Sequence, residues 1–285
     1  MVSEWEERKI IEVTVLVENS SNSSDLEGEN ALCLHIKTKK QNILFDTGAS
    51  CLFLKNAEKL GIDIKSVDKV IVSHGHYDHG GGLASFLEVN TKAKIFINKD
   101  SFGSFYSLKN GNERYVGLDA SIISNERFVF TKDMEKLDDE LEIFSEVKQK
   151  ILSPSCNSTL YMRDEAEGLI LDDFRHEQNL IIKDNENYLL LSGCAHNGIV
   201  NILEHYVNRY KSFPTHVVGG FHLYSSSELK SEKPETVCKI GKYLLDSSAE
   251  FYTGHCTGNE AFDILSKIMG NKIHKIFTGN RIQII

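Results

Sequence analysis

Only three prolines occur in 285 residues, and no Gly/Ser tract or long block of one charge interrupts the chain. Nothing therefore marks a linker, and one domain over residues 1–285 is expected. An apolar run of the roughly eighteen residues needed to cross a bilayer is also missing. The opening MVSEWEERKI is too charged for a signal peptide, so a cytoplasmic location and no membrane partner are expected. Positive charge is short as well: a net charge of −9 argues against a nucleic-acid partner. A small anionic substrate stays compatible, because bound cations reverse the sign locally. CxxC spacing is absent from the six cysteines, which excludes a zinc ribbon and gives no disulfide framework. Cys194 and Cys256 stand apart from the other four, each lying beside a candidate ligand histidine. No oligomeric state is indicated.

What the chain does have is VIVSHGHYDHGGG, residues 70–82. Val70, Ile71 and Val72 are short, apolar and β-branched, as in a buried strand, and the run breaks at Ser73 into a loop of His, Asp and Gly. Four metal-type donors follow within six residues: His74, His76, Asp78 and His79. Alternation along extended backbone points His74, His76 and Asp78 one way, while His79 turns aside as the chain bends. Such a loop can serve two adjacent cations, two imidazoles on one and a carboxylate plus an imidazole on the other. Imidazole with carboxylate suits two divalent transition-metal ions, Zn first, with Fe or Mn as alternatives, better than Mg or Ca.

Around this loop the chain reads as an α/β protein. Ile10–Val17 alternates as a strand, and Leu32–Lys37 with Asn42–Phe45 reads as a hairpin ending in Asp46-Thr47-Gly48. Ser50–Leu60 is a helix stopped by Gly61, Leu83–Leu87 begins another, and Lys94–Ile97 is a strand. Residues 100–152 are hard to read: aromatic at Phe102, Phe105 and Tyr106, then charged, with short strands expected at Ser121–Ile123 and Arg127–Phe130. Lys109 and Arg114 there are either solvated surface charges or cations that meet an anionic substrate. The second half alternates: strands Leu180–Lys183, Tyr188–Ser192, Thr215–Val218, Ala249–Tyr252 and Lys275–Phe277, and helices Ile199–Tyr210, Thr236–Leu245 and Ala261–Met269. Two sets of strands, each with helices, predict an αββα sandwich of two mixed β-sheets with helices on the outer faces.

Three later histidines share one grammar, an apolar strand followed by small residues and then His: His196 after YLLLSGCA, His222 after THVVGGF, and His255 after EFYTG. Sites on open α/β sheets gather where strands end, so these join the candidate site. His196, Cys194 and His176 compete to complete the first cation's ligands, and the reading takes His196. For His176, in DDFRHEQNL, the alternative is a solvated turn histidine.

His-x-His-x-Asp-His after a buried strand resembles the signature of the metallo-β-lactamase superfamily, hydrolases with a two-metal site. The resemblance implies that His74 and His76 bind one metal and Asp78 and His79 the other. It also implies that His255, in TGHCTG, completes the second, and that Asp46, in ILFDTG, orients a ligand histidine rather than only making a turn. Many members carry Gly-Asp where this chain has Gly193-Cys194, so the usual bridging carboxylate is replaced. HGHYDHGGG, SGCAHNGIVNI, VVGGFHL and GHCTG together resemble the branch of dihydropterin–ribofuranosylaminobenzene phosphate synthase-like proteins. The expected function is hydrolysis of an ester or phosphoester of a small anionic metabolite, with Asp78 and His222 catalytic. His222 would act as proton donor or oxyanion stabiliser. A pterin-related synthase or transferase is one alternative. An iron-dependent oxidoreductase on the same scaffold is another, although diiron relatives carry Glu where this loop has His76.

Overall fold

A computed structural model describes residues 11–284 of the chain. The expected strand start at Ile10 and the charged opening segment, residues 1–10, lie outside them. Two seven-stranded sheets form the body. The first runs Arg281–Ile284, Ile11–Val17, Cys33–Lys37, Asn42–Phe45, Lys69–Val72, Lys94–Asn98, Phe128–Thr131. The second runs Ile273–Lys275, Glu250–Thr253, His216–Gly219, Asn187–Leu191, Asn179–Asp184, Leu141–Phe144, Met134–Lys136. Both are mixed, antiparallel at one end and parallel at the other.

The two-residue period of these strands builds the layers. Ile43, Phe45 and Ile71 of the first sheet pack against Leu180, Ile182, Leu189 and Leu191 of the second, closing a core between the sheets. Their neighbours Leu44, Val70 and Val72 face outward onto Phe53, Ala57 and Phe86 of helices Leu52–Leu60 and Leu83–Val89. On the far side Ile181, Leu190 and Val217 meet Leu203, Ile240 and Leu265 of helices Ile199–Tyr210, Pro234–Asp246 and Asn259–Met269. The expected αββα sandwich is what forms. Each fully buried aliphatic side chain contributes roughly 1.5–3 kcal/mol.

Two expectations are corrected. Ser121–Ile123 is not a strand: Ala120–Ile122 is a 3-10 turn, opened by the Asp119 side chain accepting the Ser121 N–H at 2.9 Å. Asp commonly diverts backbone into turns in this way. The last strand of the second sheet is Ile273–Lys275, and the chain then crosses to the first sheet, where Arg281–Ile284 pairs with Ile11–Thr14. Residues 100–172 also hold a separate four-stranded sheet, ordered Gly168–Leu171, Leu160–Asp164, Phe105–Lys109, Asn112–Tyr115.

The strands Asn42–Phe45 and Lys69–Val72 are parallel neighbours, as are Asn187–Leu191, His216–Gly219 and Glu250–Thr253. Their C-terminal ends therefore open on one rim, bringing Asp46, His74, Cys194, His222 and His255 towards each other. At the meeting of the sheets Gly193 is required, since a Cβ there would lie 2.1 Å from Ser73 Oγ.

Candidate metal centre

The loop after Val72 begins with extended residues and then turns into the short helix Tyr77–Gly80. The bend buries His79 while Asp78 faces a cavity of about 410 Å³. His76, His196, His222 and His255 also line that cavity, with Cys194 and Cys256. His74 lies beneath it, its ring 4.7 Å from that of His76 and 4.9 Å from that of His196.

Three groups of donors share Cys194, one of them with His222 and Cys256, and a fourth joins His76, Asp172 and His176. Donor atoms of His74, Cys194 and His196 lie within 4.8 Å of one another, and so do those of His79, Cys194 and His255. In the second group His79 Nε2 is 3.1 Å from Cys194 Sγ and 3.2 Å from His255 Nε2. Asp78 Oδ2 reaches to 3.4 Å from His255 Nε2.

Each of four rings is held by its Nδ1. Ser73 Oγ lies 2.9 Å from that of His74, and Asp46 Oδ2 lies 2.7 Å from that of His79. Asp46 also accepts from Ser73 N and Ser73 Oγ, and it sits in the left-handed region at φ 60°. Asn157 grips His196 twice: Oδ1 is 3.1 Å from the ring Nδ1, and Nδ2 donates to the carbonyl at 2.8 Å. Asn19 holds His255 by the same two contacts, at 2.9 and 3.2 Å. Backbone is fixed by buried carboxylates: Glu177 accepts from His196 N and Asn197 N, and Glu18 accepts from His255 N at 2.7 Å.

The charges follow from burial. Desolvation, reinforced by neighbouring imidazoles, drives the His74 and His196 pKa values well below the usual range and keeps both rings neutral. Desolvation also pulls His255 down, but Asp78 outweighs it and its pKa is pushed up to about 9. Burial opposes ionisation of Asp78, yet His79 and His255 hold it well below the ordinary carboxylate value.

These residues fit a transition-metal ion. The buried Nε2 atoms of His74 and His196 have no hydrogen-bond partner among the described residues, and a neutral imidazole nitrogen without a proton to share is a metal donor. Nitrogen, sulfur and carboxylate donors together suit Zn or Fe rather than Mg or Ca. The ring nitrogens of His222 have no hydrogen-bond partner among the described residues; the ring lies 4.1 Å from that of His196, one nitrogen lies within 4.8 Å of Cys194 and Cys256 Sγ, and the backbone N–H donates to Cys256 Sγ.

For His176 the solvated-turn alternative is corrected. It is fully buried, not solvated, and both ring nitrogens are engaged: Nδ1 accepts from Gly75 N at 2.9 Å and Nε2 meets Asp172 Oδ2 at 3.1 Å. It braces the loop, and its donor atom lies within 4.8 Å of those of His76 and Asp172. Asp172, Asn19, Asn157, Glu18 and Glu177 are the residues that sequence reasoning missed. For Glu18, Asn19 and Asn157 the only local signal was a Ser/Asn-rich loop, and for Asp172 and Glu177 a charged one, both ordinary surface chemistry.

The profile of the metallo-β-lactamase superfamily matches residues 26–156, which include the whole ligand loop. The crystal structure of Tm1679, a metal-dependent hydrolase of the β-lactamase superfamily, superposes with a TM-score of 0.82 at 29% identity, covering 96% of this chain and 99% of that one. Residues 26–156 thus match the metallo-β-lactamase superfamily, and the chain shares its fold with a solved metal-dependent hydrolase of that superfamily. Among curated relatives, it is similar to the 7,8-dihydropterin-6-methyl-4-(β-D-ribofuranosyl)-aminobenzene-5'-phosphate synthase of Methanocaldococcus jannaschii, 28% identical over 86% of this chain and 85% of that one. An uncharacterized protein of the same organism, MJ0448, is 27% identical over 90% and 94%.

Proposed function

We propose that this chain is a metallo-hydrolase that holds two divalent cations and cleaves an ester or phosphoester of a small anionic metabolite. The observation that carries this is the convergence of buried, partnerless Nε2 atoms of His74 and His196 on one side of Cys194, with His79 and His255 on the other. His74, His76 and His196 would hold one cation and Asp78, His79 and His255 the other, with Cys194 within reach of donors from both groups. Zn is the first candidate. When bound, such cations supply Lewis acidity, which acidifies water and stabilises negative charge on oxygen.

The chain's own residues do the rest. Nδ1 contacts from Ser73, Asp46, Asn157 and Asn19 fix each ring so that Nε2 points inward. Asp78 stays ionised, accepts a hydrogen bond from the attacking water and orients it. His222, at the cavity wall beside Cys256, donates a proton to the departing oxygen. The cavity, about 410 Å³, accommodates a small molecule.

Metal analysis of the purified protein, with turnover on ester and phosphodiester panels, tests this. Two equivalents of Zn, and loss of both metal and turnover in His76→Ala and Asp78→Asn, are expected. Tightly bound redox-active iron would overturn hydrolysis. The similarity to the pterin synthase supports a second reading, in which the same centre polarises phosphorylated substrates for condensation. Inertness on every ester together with turnover of pterin substrates would select it.

A further inference from the structure

Arg114 is the only lysine or arginine among the residues lining the cavity that holds the histidines, and Asp78 is the only carboxylate. Lys109, its rival on sequence grounds, does not line it. Apart from the histidines and cysteines, the remaining polar wall is neutral: the Asn30 amide and hydroxyls that include those of Thr159, Tyr224 and Ser225 to Ser227.

Arg114 is also held in place. It lies on the exposed strand Asn112–Tyr115, whose continuation is stitched to the ligand loop by Tyr77 N donating to Val116 O at 2.9 Å and by a bridge between His76 and Gly117. Its Nη2 donates to Tyr77 Oη at 3.1 Å, and its guanidinium carbon sits 5.3 Å from the centre of the Tyr77 ring. That contact uses one of five donors. A planar fork braced on an aromatic ring loses little freedom on gripping an oxyanion.

We propose that Arg114 forms an anion subsite which binds a second, non-reacting carboxylate or phosphate of the substrate. This rests on the two-cation reading above and narrows its substrate class to molecules charged at both ends. The net charge of −9 makes such a local cation the feature that selects them over neutral esters.

The test is equilibrium binding to the metal-loaded protein of phosphonocarboxylates of increasing chain length, each compared with the alkylphosphonate lacking the carboxylate. At the length that spans the cavity, wild type should favour the doubly charged probe by on the order of tenfold, and Arg114→Gln should abolish that preference. Arg114→Lys should keep part of it, and Tyr77→Phe should weaken it by freeing the guanidinium. Thermal melting checks that each variant is folded. Equal preference in wild type and Arg114→Gln at every length would overturn the subsite. Alkylphosphonate binding that ignores added metal would instead overturn the two-cation reading, while the Arg114 comparison would still stand.

Discussion

Asn19 and Asn157 perform one task on two histidines. A side-chain oxygen at Nδ1 and a side-chain N–H on the carbonyl fix both the ring's rotation and its tautomer, leaving the Nε2 lone pair for a cation. Asn157→Ala should weaken metal affinity about tenfold to a hundredfold, and Asn19→Ala should do the same through His255. Competition against a chromophoric chelator measures this; a lowered melting temperature with unchanged affinity would reduce both residues to packing. Gly193 acts by having no side chain. With a Cβ only 2.1 Å from Ser73 Oγ, Gly193→Ala must push apart the loops of the two sheets. It should cost about 1–3 kcal/mol in urea unfolding, the usual penalty of overpacking. Unaltered stability would show that the rim relaxes freely.

At the scale of elements, Gln178 joins the two sheets. Its backbone N–H donates to Ser73 O at 2.7 Å, and its side-chain amide donates to Val72 O and Phe96 O while accepting from Thr131. One buried side chain thus satisfies carbonyls at the ends of neighbouring strands of the first sheet from the start of a strand in the second. Gln178→Leu strands those groups and should destabilise by about 1–3 kcal/mol, read by urea denaturation. A neutral result would mean that water takes over the amide's bonds. The strands joined here were legible because Val70–Val72 and Leu180–Ile182 are apolar runs. Asn112–Tyr115 was not, since every residue in it is exposed and its pairing with Phe105–Lys109 buries no apolar face for a pattern to register. The ligand loop was legible because its donors are adjacent in sequence. Their supports were not: Asn19 and Glu18 meet His255 from the opposite end of the chain, and a buried Asn or Glu carries no local mark of its partner.

For the molecule as a whole, pH acts through the pair formed by His255 and Asp78. In the metal-free protein the His255 pKa is raised to about 9, so the imidazolium is the resting form at neutral pH. Its stabilisation is fully present below the unfolded value of about 6.5 and is lost as pH rises through about 9. Asp78 runs the other way: its pKa is depressed, so its contribution is present above the ordinary carboxylate value and is lost as pH falls through the folded one. A cation must displace the His255 proton, so uptake at neutral pH should release about one proton, and affinity should climb up to about pH 9. Calorimetry in buffers of different ionisation enthalpy counts that proton. Uptake without release would place the cation away from His255.

The grip of Glu18 and Asn19 on His255 has a consequence for biosynthesis. Glu18 leaves the ribosome 237 residues before the histidine and 260 before Thr278, which accepts from Glu18 N. A nascent chain therefore displays the loop histidines long before the opposing half can close over them. Tight capture of an ion then requires a chain translated past His255 and Thr278, and a chain that has docked both layers can be told from one that has not by whether it retains added Zn through dialysis.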